Sequence, residues 1–410
     1  MNHWAATVVL LFGLGAASVQ AAATPVAKIH GGMPGYISVK TQNLYIGTDI
    51  LEIVEAESFC DILAAADAAV EQVLENDFEQ RAIAIAELIR AQRPHVVGLQ
   101  EAEQVRLTDF WGQETRSDDY LALLVDALGG DYYVAHSRSS QELEIPVNAT
   151  GDCDPDNAIG AIDSWAYVID QDAVLCRRDV SCTDGLAANF EVNTSAPTPA
   201  GDVLIERGWV GTVASVKGHR YRVINTHLEV SGTPALQAVQ YLQSLELVAA
   251  MNALKPEVIP QIALGDFNAD DAVESPSCEG LAFCQTAYQV LEAAGFIDTW
   301  WIGGAAQEPG YTCCQDADLR NETSALGERI DQVWVRGAAG QLGSATVLSA
   351  RSEVQGDQPA DRSQPDGLWP SDHAGVISRI WLQSPSKHAR GRFADPERPL
   401  RLEKDEGQAE

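Results

Sequence analysis

The sequence predicts an α/β protein built in layers with mixed or antiparallel sheets. Three observations predict it. Apolar, strand-like runs alternate along the chain with segments of helical period. Two strand-like runs flank Lys217-Gly218-His219-Arg220, a hairpin signal that a purely parallel sheet would lack. No internal repeat recurs at a fixed period. With 410 residues, 46% hydrophobic and 21% charged, the chain has the composition of a soluble globular protein and the length of one large domain or two ordinary ones.

Taken in order, a Pro/Gly-rich lead at 24–36 gives way to "ISVKTQNLYIG", which alternates and then turns apolar as a strand does on entering a sheet. Residues 76–93 place Phe78, Ala82, Ile85, Leu88 and Ile89 near helical spacing, and Pro94 ends the helix. "HVVGLQE" follows as a buried strand. A second helix over about 118–128 stops at Gly129-Gly130, and "DYYVAHS" begins another strand. Residues 137–203 are rich in Asp, Asn, Pro and Cys, and read as an irregular, disulfide-trimmed surface insertion around one strand, Ser164–Ile169. "VLIERGWVGTVASV" and "YRVINTHLEV" form the hairpin. A helix at 234–253 precedes "EVIPQIALGDFNAD", another at 284–294 precedes "GFIDTWW", and "RIDQVWVRG" and "HAGVISRIWL" supply the last strands. Trp300-Trp301, following a strand-like run, read as core. The charged tail from about 385 is short of apolar residues and is expected to be mobile.

Residues 1–23 carry no Lys, Arg, Asp or Glu, with an apolar run from Ala5 to Ala17 and small residues at Val19, Ala21 and Ala23. This predicts a signal peptide cleaved near Ala21 or Ala23, hence a secreted or periplasmic protein. No later stretch reaches the roughly 18 apolar residues of a spanning helix, so no integral membrane segment is expected. Eight cysteines suit an oxidising compartment. Proximity pairs Cys176 with Cys182 and Cys278 with Cys284. A zinc site lacks the usual CxxC or HExxH spacing. The net charge of −32 repels nucleic acid and anionic membrane, which argues against sequence-specific nucleic-acid binding and favours a divalent cation. The chain is expected to act as a monomer.

Six polar clusters lie at or just beyond an end of an apolar strand. They are Asn43 in "TQNLY", Gln100-Glu101 in "VVGLQE", Asn225-Thr226-His227 in "VINTHLEV", Asp266 and Asn268 in "LGDFNAD", Asp331 in "ERIDQVWV", and Ser371-Asp372-His373 in "WPSDHAGVI". Strand ends lying side by side make a rim on which distant segments converge. Asn43, Glu101 and Asp372 offer hard oxygen ligands suited to Mg²⁺ or Mn²⁺. His373 can take a proton from water if a carboxylate holds its other nitrogen, and Asp331 is the candidate. Asp266 can orient the same water, while Asn268 and His227 can donate to phosphoryl oxygens. Each residue also has a plain reading. Asn43 suits a turn, His227 a satisfied structural histidine, Asp331 a salt bridge to Arg329, and Asp372-His373 a cap or turn. Six independent turns would not together supply ligands, a base, its orienter and phosphate donors.

In order and approximate spacing, "TQNLY", "VVGLQEAE", "INTHLEV", "IALGDFNAD", "ERIDQVWV" and "PSDHAGVI" resemble the endonuclease/exonuclease/phosphatase superfamily. It includes secreted DNase I-like nucleases, abasic-site endonucleases, inositol polyphosphate phosphatases and neutral sphingomyelinases. The resemblance covers about residues 37–383 and implies one DNase I-like domain over 37–384, a four-layered α/β/β/α sandwich with two mixed sheets face to face. It implies Asn43 and Glu101 as metal-binding residues with Asp372 assisting, and His373 and Asp331 as base and partner. Asp266 and Asn268 would position water and phosphate, His227 would be the second catalytic histidine, and Asn225 a further phosphate contact. The strand Ser164–Ile169 should bring a substrate-binding Tyr or Arg, with Tyr167, Arg177 and Arg178 as candidates. "YTCCQDADLRNETSALGERID" is similar to a feature of secreted bacterial members, with Cys313 and Cys314 each expected to pair elsewhere because a bond between adjacent cysteines is strained.

These readings point to an exported, Mg²⁺-dependent phosphoesterase that hydrolyses P–O bonds by in-line attack of an activated water, foremost a phosphodiesterase or nuclease. A sphingomyelinase or phospholipase C-type activity, which would need an exposed aromatic hairpin to reach lipid, is an alternative, as is a phosphomonoesterase. An inactive relative kept as a binding module is the alternative of another class.

Overall fold

Two six-stranded mixed sheets, packed face to face, lie at the centre of the computed structural model, which describes residues 35–254, 259–271, 276–302, 309–337 and 347–382. The expected signal peptide (1–23), nearly all of the lead and the tail lie outside the described residues. In the first sheet the order is β17 (Val347–Gln355), β18 (Gly375–Leu382), β1 (Gly35–Asn43), β2 (Val96–Gln100), β8 (Gln171–Arg177), β5 (Tyr132–Ser139). In the second it is β15 (Ile297–Asp298), β16 (Asp331–Arg336), β14 (Gln261–Asp266), β13 (His219–His227), β12 (Gly208–Val216), β9 (Ser181–Asn189). Each sheet has one parallel pair, β1 with β2 and β13 with β14, and all other neighbours are antiparallel.

Alternate residues of these strands fill the space between the sheets. Ile37, Val39, Val96 and Val174 face Val223, Ile262, Leu264 and Val333. Gly98 lets the sheets approach: a Cβ there would collide with Leu264 and the Asn225 amide. Helices α3 (Phe78–Gln92) and α4 (Tyr120–Ala127) cover the first sheet through Ile85, Ile89 and Leu124. Helices α5 (Pro234–Ala253) and α6 (Ala287–Ala293) cover the second through Leu247, Met251 and Leu291. The order is therefore α/β/β/α, the four-layered sandwich that the resemblance implies.

Local chemistry sets the element ends as the sequence indicates. Asp77 caps α3 through Gln80 N, and Arg93 closes it in the left-handed region before Pro94. Thr233 caps α5, with Pro234 at its first position. Between β12 and β13, Lys217 and Gly218 both take positive φ, 48° and 83°, the two-residue hairpin turn that follows strand twist.

Several expectations need correcting. Residues 137–203 are not an irregular insertion around one strand. They contain β8, a buried strand of the first sheet whose apolar run "AVLC" is short and flanked by polar residues. They also hold β6 (Leu143–Val147), β7 (Ser164–Ile169), β9 and the hairpin of β10 (Thr194–Thr198) and β11 (Gly201–Ile205). With β3 (Gln104–Asp109) and β4 (Glu114–Asp119), β6 and β7 form a third sheet, ordered β4, β3, β7, β6. Preceded by α1 (Leu51–Val54), a helix that the sequence reading missed, α2 (Phe59–Glu75), packs Ile62 and Ala66 against Val147 and Ala166 of that sheet. Trp301 is not core; its ring is about half exposed and its Nε1 donates to Asp271. Among cysteines, Cys176/Cys182 and Cys278/Cys284 are adjacent as expected, and Cys60 lies against Cys153. Cys313 and Cys314 do not find partners elsewhere: the other six sulfurs are matched with one another, which leaves these two side by side. Among the described residues, no helix is long and apolar enough to cross a membrane.

Candidate active site

Strand register gathers the polar clusters at one rim. Asn43 pairs with Gln100 across β1 and β2, His227 with Asp266 across β13 and β14, and Asp266 with Asp331 across β14 and β16. β18 begins two residues after His373. The side chains continue the core rows between the sheets: Ile37-Val39-Thr41 ends in Asn43, Ile262-Leu264 in Asp266, and Val335-Val333 in Asp331. Each apolar row therefore terminates in a polar group where the sandwich opens. The backbone is bent to suit. Tyr45, Glu101 and Asn268, just past β1, β2 and β14, hold φ of 59°, 50° and 48°, a region costly for residues with a Cβ.

His373 is the best-held group at the rim. Its Nδ1 lies 2.7 Å from Asp331 Oδ2 and 3.7 Å from Asp266 Oδ2, and its Nε2 lies 4.0 Å from Asp372 Oδ1. Asp331 is fixed in turn, because its backbone N–H and that of Ile330 donate to Thr312 Oγ1. Arg329 does not claim Asp331; it pairs with Asp298 at 2.7 Å and Asp271 at 2.8 Å. Burial opposes charge on His373, but Asp331, Asp372 and Asp266 outweigh it and raise the pKa well above the ordinary histidine value. A Nδ1–H held by a carboxylate leaves Nε2 as the basic nitrogen.

His227 stands across from it. Its Nε2 is 3.6 Å from Asp266 Oδ2, and its Nδ1 is 2.8 Å from Arg207 Nη1. Asp266 Oδ1 accepts the Asn268 N–H at 2.9 Å, and the Asn268 amide donates to Leu228 O at 2.9 Å. Asn43 joins the halves of the site: its Nδ2 donates to Glu101 Oε1 at 2.8 Å and to Asp266 Oδ2 at 3.1 Å, while its Oδ1 accepts from Tyr45 N. Glu101 Oε2 accepts from Ile46 N at 3.0 Å.

The donor set fits a hard divalent cation. Asn43, Glu101 and Asp372 offer only oxygens, and Asn43 Oδ1 keeps a second lone pair beyond its bond to Tyr45. The rim also holds more carboxylate than its cations offset. Burial, then the Asp331 charge, pushes Asp266 up to about 7, and burial, with Glu101 adding repulsion, pushes Asp372 up to about 6. Asp331 Oδ1 is buried with no hydrogen-bond partner among the described residues. Ligand atoms of Asp266, Asp331 and His373 lie within 4.8 Å of one another, as do those of Cys313, Cys314 and His373.

Of the expected substrate contacts, Asn225, Arg177 and Arg178 are bonded elsewhere, and Tyr167 lies outside the two central sheets. Asn225 lies on the same face of β13 as His227 but deeper; its amide donates to Leu99 O and Ala173 O and accepts from Gln100, which ties the two sheets together. Arg177 ends β8 at the opposite end of the strand, where its N–H donates to His95 O, and it pairs with Asp179. Tyr167 sits in the third sheet beneath the Arg106 guanidinium, 3.7 Å away. Arg178 likewise bonds Gly130 O. Instead, residues that the sequence reading passed over stand behind the rim: Arg138 with Asp172 at 3.1 Å, Arg207, Asp170, Glu103 and Glu229. Burial pushes Asp172 up to about 8 despite the Arg138 charge beside it.

The family model described as Endonuclease/Exonuclease/phosphatase family matches residues 73–373. Among solved structures, the chain is similar to truncated TDP2 from Caenorhabditis elegans, at 16% identity and TM-score 0.45, over 84% of this chain and 98% of that one. It is also similar to an endonuclease/exonuclease/phosphatase family protein from Bacteroides thetaiotaomicron (16%, 0.48, 86% and 100%). A mannosyl-6-phosphatase from the same organism gives 16%, 0.46, 84% and 99%. No curated protein matches the chain.

Proposed function

The chain belongs to the endonuclease/exonuclease/phosphatase family, whose members hydrolyse phosphate esters, and on that premise we propose that it is a Mg²⁺-dependent phosphodiesterase or nuclease. The observation that carries the reading is the His373–Asp331 pair at 2.7 Å, with Asp266 beside it and His227 opposite. His373 takes the proton of an attacking water at Nε2, and Asp331 stabilises the imidazolium that forms. Asp266 orients that water for in-line attack on phosphorus. Asn268 and His227 donate to the non-bridging oxygens, where charge gathers in the transition state. Asn43, Glu101 and Asp372 would hold the metal, which when bound supplies charge stabilisation to the phosphoryl group and acidifies water. Mn²⁺ suits the same oxygens.

The test is hydrolysis of bis-p-nitrophenyl phosphate with and without EDTA, by wild type and His373→Ala. Hydrolysis that persists in EDTA, or a His373→Ala variant as active as wild type, would sink the mechanism. Turnover of the monoester alone would move the reading to a phosphomonoesterase.

One observation favours a second reading, a sphingomyelinase or phospholipase C-type activity. The β3–β4 hairpin carries Phe110 and Trp111 at its tip, 47% and 86% exposed. Aromatic tips of this kind suit a lipid interface. Activity on sphingomyelin vesicles that falls in Phe110→Ser/Trp111→Ser, with the soluble diester unaffected, would select it.

Export by a signal peptide at 1–23 is part of the proposal, and N-terminal sequencing of the protein recovered outside the cytoplasm tests it. An N-terminus at Met1 would refute it.

A further inference from the structure

Arg207 occupies the second position of the two-residue link between β11 and β12, and its backbone is fixed on both sides. Its N–H donates to Asn193 Oδ1 at 2.9 Å and its C=O accepts from Phe190 N at 2.9 Å. The side chain then runs behind the rim to place Nη1 2.8 Å from His227 Nδ1. Asp170 Oδ2 lies 3.8 Å from the same nitrogen, and the acids Glu229, Glu101 and Asp172 surround the guanidinium and hold it charged against its burial.

A guanidinium donates hydrogen bonds and accepts none. A nitrogen 2.8 Å from it must therefore present a lone pair. The proton of a neutral His227 ring is confined to Nε2, the nitrogen that faces Asp266 at 3.6 Å. In its neutral form His373 is the mirror case: its Nδ1 faces a carboxylate, carries the proton, and leaves Nε2 with the lone pair. Two histidines on one site are thus set to opposite tautomers by partners of opposite charge.

We infer that Arg207 is a positioning residue that locks His227 as a neutral Nε2–H hydrogen-bond donor to the phosphoryl oxygen, so that His227 neither accepts a proton from water nor protonates the leaving group. Burial, and after it the charge of Arg207, keep His227 from charging, in agreement with the geometry. The role at the phosphoryl oxygen rests on the phosphoesterase reading above. The tautomer does not.

Histidine-selective nitrogen NMR on the full-length protein reads the tautomer without any turnover, with His227→Gln assigning the resonance. Wild type is expected to show His227 with a protonated Nε2 and a bare Nδ1 at neutral pH. In Arg207→Met the ring should lose that preference, and kcat on the soluble diester should fall on the order of 10²-fold with little change in KM. Arg207→Lys, which restores one donor, should recover part of both. If Arg207→Met does not fold, the wild-type spectrum and the lysine variant still decide the matter. A wild-type His227 protonated at Nδ1, or an Arg207→Met spectrum and kcat matching wild type, overturns the proposal. As a further arm, His227→Gln should slow p-nitrophenyl and alkyl diesters equally, and a larger loss on the alkyl ester would make His227 the general acid. A wild type with the expected tautomer but no hydrolysis of any phosphate ester would count against the functional reading alone.

Discussion

Asp331 Oδ2 lies 2.7 Å from His373 Nδ1, and the backbone that carries Asp331 is itself pinned by Thr312 Oγ1. The carboxylate does two jobs there: it fixes which ring nitrogen bears the proton, and it stabilises the imidazolium once water is deprotonated. Asp331→Asn keeps size and hydrogen bonding but presents an amide N–H as readily as an oxygen, so the ring can turn to the wrong tautomer. Its kcat on the soluble diester should fall on the order of 10³- to 10⁴-fold, with KM changed far less. A loss below about tenfold would mean that His373 does not need this partner.

The second prediction concerns the cation. Glu101 is oriented by Asn43 Nδ2 and Ile46 N, so Glu101→Gln replaces one charged oxygen and leaves an amide N–H facing donors already in place. Wild type should lose activity in EDTA and regain it with Mg²⁺ or Mn²⁺. In Glu101→Gln the Mg²⁺ concentration for half-activation should rise at least tenfold, and calorimetric Mg²⁺ binding should weaken in parallel. Unchanged binding with lower activity would remove Glu101 from the metal site.

A third prediction separates Asn225 from the phosphate. Its amide satisfies Leu99 O and Ala173 O in the facing sheet, and its oxygen takes the Gln100 amide. Asn225→Ala strands those buried groups and should destabilise by about 2–3 kcal/mol in urea unfolding. The folded variant should keep its KM for the diester. A raised KM with unchanged stability would restore the phosphate contact that the sequence suggested.

The contrast between His227 and Asn225 shows what the sequence made legible. An acid, amide or histidine at the end of an apolar strand is unusual enough to be noticed, and Asn43, Asp266 and His227, which close strands, and Asp331, which opens one, all stand out that way. Alternation even places Asn225 and His227 on one face of β13. It does not say that two residues, about 6.6 Å along the strand, separate a rim from a sealed inter-sheet space. Arg177 fails for a related reason: β8 runs antiparallel to β2, so its Arg-bearing end lies opposite the rim and its Asp172 end lies near it. Arg207 left no signal, because an arginine before a Gly-Trp strand start reads like any solvated link. Its importance comes only from the acids and the histidine that the fold brings around it.

The last prediction follows from Lys40, on the other face of β1. Its side chain is fully buried, with Nζ 3.2 Å from Gln355 Oε1. Burial pushes its pKa down to about 7, against the pull of Asp361 and Asp331. An unfolded lysine titrates near 10.4. Between about 7 and that value the unfolded chain binds more protons than the folded one, so this group makes stability rise with pH across the window. Below about pH 7 the penalty is fully present, because the lysine is charged in both states and the folded one is desolvated; near pH 10 most of it is gone. Lys40→Met, similar in length and apolar, should therefore be more stable than wild type at pH 7, by an amount on the order of a few kcal/mol. The difference should shrink steadily as urea denaturation is repeated up to pH 10. A constant difference across that range would show that Lys40 stays charged in the fold, and that Asp361 and Asp331 outweigh its desolvation.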